Sequence, residues 1–221
     1  MGPLSTRVPP TLTLPRKGGE DKSPPPVVVG KPDIAVRIHE SLFTNAAARH
    51  YGGRTATGDE LDRDFTIVLG PLSPAGGRLE PDEKEQFTVT FAATPLDVAF
   101  ADGQIRAIIR TRGFTTEDRQ ITDPFDIRVV CELSRTPVGL TVLRRELEVL
   151  PPDVAAGKRR MSLRENSLAK LLSKRFAKLL PERQEIVLAN LPGGLKKLGR
   201  LLPTQADVED GWLALAWRHV R

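Results

Sequence analysis

Two Asp-Gly dipeptides, each flanked by residues that alternate between apolar and polar, restrict the fold of this chain more than any other feature. Asp-Gly suits the two central positions of a tight hairpin turn, where the backbone takes positive φ twice and its twist matches that of the flanking strands. Around Asp102-Gly103 the register pairs Phe100 with Ile105, Val98 with Ala107 and Leu96 with Ile109, leaving Ala99 opposite Arg106 on the other face. Around Asp210-Gly211 it pairs Val208 with Leu213, Ala206 with Leu215 and Thr204 with Trp217, while Trp212, Ala214 and Ala216 turn the other way. A slip of one residue would reverse every one of these side chains, so turn chemistry and apolar pattern support each other.

A third reversal uses the three-residue loop Pro137-Val138-Gly139. It matches Leu133 with Leu143, Val129 with Leu147 and Ile127 with Val149 inside, and sets Glu132 opposite Arg144 and Arg128 opposite Glu148 outside. The same register puts Arg145 opposite Cys131 on the apolar face. A guanidinium there either turns outward through a one-residue bulge or meets an anionic group, such as a ligand headgroup, in a β-lined pocket. Alternation at Ile34, Val36 and Ile38, and again at Phe87, Val89 and Phe91, adds further strands. The expected fold is therefore α+β, an antiparallel sheet of hairpins packed against helices.

Of the helices, SLRENSLAKLLSKRFAKLLP is the most strongly marked. Ser162 and Glu165 form a capping box at its start and Pro181 ends it. At 100° per residue, Leu168, Leu171, Leu172, Phe176, Leu179 and Leu180 share one half of the wheel, and Lys170, Lys174 and Lys178 form a stripe on the other. A shorter helix follows the strand at 34–38, with Ser41 expected as its cap and Gly52-Gly53 as its stop. Residues 57–69 read as a second short helix, with strand an alternative at 66–69, and 70–86 read as a loop. Residues 1–32, rich in proline, glycine and charge, read as a disordered leader ahead of a single domain at 33–221.

Charge is unevenly distributed. Residues 158–200 carry 12 cations and 3 anions, whereas 33–157 carry 14 and 20. The helix with its flanks is thus a basic segment on an acidic body, suited to an anionic partner. Arg159 and Arg160, with Lys170, Lys174 and Lys178, are the residues expected to meet an acidic protein or an anionic membrane surface. No aromatic residues interleave with these cations, which argues against nucleic acid.

Catalytic and metal chemistry find little footing. Histidines 39, 50 and 219 lack ligand spacing, Cys131 is the sole cysteine, and no serine sits in a G-x-S-x-G elbow. No catalytic residue, metal or cofactor is expected, and the chain reads as a non-enzymatic protein. The first residues contain no continuous apolar stretch of the kind a secretory signal needs. The default expectation is a cytoplasmic location, with the cell envelope the alternative if the true start lies upstream.

The stretch IAVRIHESLFTNAAARH, with its S-x-x-x-N step from Ser41 to Asn45, resembles the start of bacterial domains of the tubular lipid-binding (TULIP-like) kind, and endings like DGWLALAWR are similar to those of uncharacterised bacterial proteins. That resemblance implies a curved antiparallel sheet around long amphipathic helices, with an apolar groove for lipid. Two functional expectations follow. One is a binding domain that holds a lipid or other amphipathic ligand between sheet and helices, with Arg145, Phe176 and Leu172 as contact residues. The other is an interaction or scaffold domain that docks through the basic helix 162–180.

Overall fold

A computed structural model describes residues 11–13, 24–69, 79–116, 119–137, 139–186 and 200–220. Two sheets and a helical layer make up the described fold. The larger sheet has seven strands: β3 (Thr55–Thr57), β4 (Phe87–Ala101), β5 (Gln104–Thr116), β7 (Asp126–Arg135), β8 (Leu140–Leu150) and β9 (Arg183–Ile186) in that spatial order, with β6 (Arg119–Ile121) on the far end of β5. The smaller has four, in the order β1 (Thr11–Thr13), β2 (Ile34–His39), β11 (Trp212–Val220) and β10 (Arg200–Glu209). All pairings are antiparallel except that of β1 with β2, which is parallel. The α+β expectation, with hairpins against one long helix, is what the chain adopts.

The Asp-Gly turns form as their chemistry requires. Asp102 and Gly103 have φ of 54° and 74°, Asp210 and Gly211 of 47° and 81°. In β4 and β5 the expected partners all face each other, including Ala99 with Arg106. In β10 and β11 the pairs nearest the turn hold, but Thr204 is bulged out and Pro203 takes its place opposite Trp217. Proline has no N–H to give a regular ladder, and the bulge lets the strand continue past it. The two tips are also joined: Gly103 N–H donates to Val208 O at 3.0 Å and Gly211 N–H to Phe100 O at 2.8 Å. Glu40 completes the joint, its carboxylate accepting from Phe100 N–H at 2.8 Å while its own N–H reaches Gly211 O at 3.0 Å.

The third hairpin departs from its expected register. Arg135 pairs with Leu140, so the loop takes four residues, 136–139, of which Val138 lies outside the described ones. Thr136 holds the reversal, its N–H donating to Gly139 O at 2.8 Å and its hydroxyl accepting from Gly139 N–H at 3.1 Å. The extra loop residue shifts every pair near the turn, so Glu132 faces Leu143, Leu133 faces Val142 and Cys131 faces Arg144. A bulge at Arg145 absorbs the shift, and beyond it Val129 with Leu147, Arg128 with Glu148 and Ile127 with Val149 pair as expected.

One face of the larger sheet carries the core. At one end it is covered by α2 (Gly58–Leu69) and α5 (Leu163–Leu179), where Phe87, Val89, Phe114, Phe125 and Ile127 meet Leu61, Leu172, Phe176 and Leu179. At the other end the smaller sheet lies over Val98, Phe100 and Leu133 with Val208, Leu213 and Trp217. Leu96 touches both clusters and makes the interior continuous. Helix α1 (Ser41–Tyr51) packs beside β4, with Phe43 edge-on to Phe100 at 5.8 Å. Ser41 does not cap it: Glu40 is already helical in conformation, and the Ser41 hydroxyl instead lies 2.8 Å from His39 Nδ1. Gly52 does end it, since a Cβ there would sit 2.3 Å from Ala48 O and 2.8 Å from Ala93 O.

Of the expected helix at 57–69, residues 58–69 form α2, begun by a capping box in which Thr57 and Glu60 exchange backbone bonds at 3.0 and 3.2 Å. Of the expected loop at 70–86, residues 81–86 form a short helix, α3 (Pro81–Gln86), and 70–78 lie outside the described residues. Pro152–Ala155 form α4, a single turn. Within the expected leader, 11–13 pair with β2, and 27–29 are held by the side chain of Gln205.

Candidate functional site

The sequence nominated two groups of side chains, one beneath α5 and one upon it. Leu172 and Phe176 face the sheet and have 0% accessible surface. Phe176 meets Phe87 edge-to-face at 6.5 Å. Zero accessibility means that no space as large as a water molecule adjoins either side chain, so at these two positions the helix–sheet layer is solid. Arg145 is elsewhere. As the bulged residue of β8 it projects to solvent, its Nη2 2.7 Å and its Nε 2.8 Å from Glu132 Oε2. This ion pair raises the guanidinium's pKa and holds the Glu132 carboxyl below the usual range. Of the two readings open for Arg145, the outward bulge is the one the chain adopts, so it does not sit among Cys131, Leu143 and Leu147, and the three residues named for ligand contact are not brought together.

The outer side of α5 is assembled as its spacing dictates. Ser162 Oγ accepts from Glu165 N–H at 3.2 Å and Glu165 Oε2 accepts from Ser162 N–H at 2.8 Å, closing the capping box. The same carboxylate takes both arms of Arg159, at 2.5 and 2.9 Å. Arg159 and the Ser162 bonds together pull the Glu165 carboxyl down to about 2. Arg159 is therefore committed to the helix start and is a weaker candidate for an external anion than its sequence position suggested. Arg164 is drawn to Asp123 at 3.1 Å and Lys158 to Asp153 at 3.7 Å.

The exposed cations of α5 form a narrower ridge. Lys170, Lys174 and Lys178 are exposed along one line, and Arg160 is exposed just before the helix. Lys170 and Lys174 have no acidic partner among the described residues. Helix α5 holds one acidic residue, Glu165, already engaged in its cap. Leu163, the first residue of α5, lies on the same side of the helix ahead of Lys170 and is 89% exposed. Sequence reasoning missed it, although on the helical wheel it falls among the lysines and opposite the buried face.

The other titratable groups have structural surroundings. His39 stacks edge-on to Trp212 at 4.9 Å, and His50 Nε2 lies 3.1 Å from Asp64, which also accepts from Tyr51 at 2.5 Å. Burial raises the Cys131 thiol, against the opposing pull of Arg144, which is the wrong direction for a reactive thiolate. Among the described residues no group of His, Cys, Asp and Glu has the geometry to hold a metal ion. A cleft of about 140 Å³ beside Thr90, Arg112 and Gln120 lies where β6 crosses Gly113 on β5, apart from α5 and Arg145. No described helix is long and apolar enough to cross a membrane.

Comparison with known proteins finds no matching family model and no significantly similar curated protein.

Proposed function

We propose that this protein is a non-enzymatic binding domain that docks on anionic membrane surfaces through the outer side of α5. The observation that carries the reading is Leu163, 89% exposed at the start of the helical face that bears the three lysines and no carboxylate. Three lysines at four-residue spacing put their charges along roughly 12 Å of helix. Each Lys or Arg close to an anionic leaflet contributes about 1 kcal/mol, and a leucine side chain taken out of water about 1.5–3 kcal/mol. These amounts suit reversible, salt-sensitive association. A ligand held between sheet and helices draws less support, because Leu172 and Phe176 have no space beside them.

Co-sedimentation with vesicles tests the proposal. Binding should require phosphatidylserine, weaken as salt rises, and fall at least tenfold in the Lys170→Glu, Lys174→Glu double variant. Leu163→Ser should weaken binding with little change in its salt slope. Equal binding to neutral vesicles, or a double variant that binds like the parent, would overturn it.

A further inference from the structure

A second surface, unrelated to α5, lies in the proline-rich stretch before β2. Residues 24–29 read PPPVVV, and the buried side chain of Gln205 holds two of their backbone groups. Gln205 Oε1 accepts from Val29 N–H at 3.0 Å, and Gln205 Nε2 donates to Val27 O at 3.1 Å and to Asp207 at 2.6 Å. The amide thus reads the chain as a neighbouring strand would. In an extended chain, the C=O of one residue and the N–H two positions later share an edge, and the residue between them presents its own N–H and C=O to the opposite edge. That residue is Val28, which has no hydrogen bond among the described residues. Val27 and Val29 are 78% and 76% exposed, whereas Val28 is half-buried.

We infer that Val27–Val29 is a strand-addition edge whose occupant is the same segment of a second copy of this chain. An edge whose N–H and C=O have no partner among the described residues, between exposed β-branched side chains without charge, is a template for pairing. The segment is also self-complementary. An antiparallel pairing centred on Val28 lets each Val28 exchange both backbone bonds with its counterpart, which closes a two-fold axis. Val27 of one copy then lies opposite Val29 of the other, twice, on one face. Lys31 falls opposite Pro25, so no like charges meet. Pro26 lacks a donor and limits the ladder to a short one. The assembly expected is a weak dimer, not a filament.

Sedimentation of the full chain at concentrations up to about 1 mM, the range appropriate to a small interface, is the test. A monomer–dimer equilibrium is expected, with slowed amide exchange at Val28 as dimer accumulates. Val27→Lys combined with Val29→Lys sets cations opposite each other across the seam and should weaken dimerisation at least tenfold. These side chains are exposed, so the variant's thermal midpoint should match the parent's, and that measurement separates lost pairing from lost folding. A chain that stays monomeric throughout, or a dimer indifferent to the two lysines, would overturn the inference. So would a monomer that instead takes up an added VVV peptide, which would assign the edge to another protein's strand.

Discussion

Truncating Phe176 to alanine tests whether the layer beneath α5 is solid core. The ring has 0% exposure and lies among Phe87, Leu172 and Leu179 in the main apolar cluster. Phe→Ala in such surroundings costs about 3–5 kcal/mol through lost transfer energy and the cavity left behind. The edge-to-face contact with Phe87, at 6.5 Å, favours the upper part of that range. Against a typical total of about 5–15 kcal/mol, the loss is a large fraction of the whole. With a urea dependence of about 2 kcal/mol per molar, the unfolding midpoint should fall by about 2 M at unchanged slope. Leu163→Ala serves as the control on the same helix, because an exposed side chain should cost no more than about 0.5 kcal/mol. A loss below about 1 kcal/mol in Phe176→Ala would refute the argument, since only a site with room to spare tolerates that deletion.

Two further outcomes follow from local geometry. The Glu165 carboxyl is depressed in the folded state, to about 2 from a reference of 4.5, so its stabilising effect is fully present above about 4.5 and is lost as pH falls towards 2. An acid titration of helicity followed by circular dichroism should therefore have a shallower limb over that window in Glu165→Gln than in the parent, and identical limbs would contradict the assignment. A Cβ on Gly113 would lie 2.4 Å from Ile121 O, a backbone atom with little freedom to retreat. Gly113→Ala should cost about 1–3 kcal/mol, as overpacking does, and should speed amide exchange at β6; a neutral effect on both would show that β6 yields freely.

Much of this fold was legible because local rules and long-range pairing agreed. Asp102-Gly103 and its flanks named their own partners, and the S-x-x-E start with the leucine face placed α5 against the sheet. Failures occurred where one residue made the difference. Pro137 and Gly139 pointed to a three-residue loop, but Thr136 could supply both an N–H and a hydroxyl to Gly139, and the longer turn won. The resulting shift pushed Arg145 out of the ladder, removing the buried guanidinium on which a pocket would have depended. The acidic stretch from Thr57 marked a helix start, and of the two readings open at Thr66–Leu69 the helix is the one adopted, fixed from its first turn by Thr57 and Glu60. The hold of Gln205 on Val27 and Val29 had no sequence signal, since 176 and 178 positions separate the partners. Of the candidate site, the lysine spacing was visible, while the diversion of Arg159 to Glu165 depends on how the chain approaches the helix.

The joint between the Asp102-Gly103 and Asp210-Gly211 turns sets a rule for assembly. Each reversal is closed by its own strands, but its glycine amide finds its acceptor on the other, and Glu40 bridges them from a third part of the chain. A change that displaces one corner therefore also removes a hydrogen-bond partner from the other, tying the edge of one layer to the edge of the next.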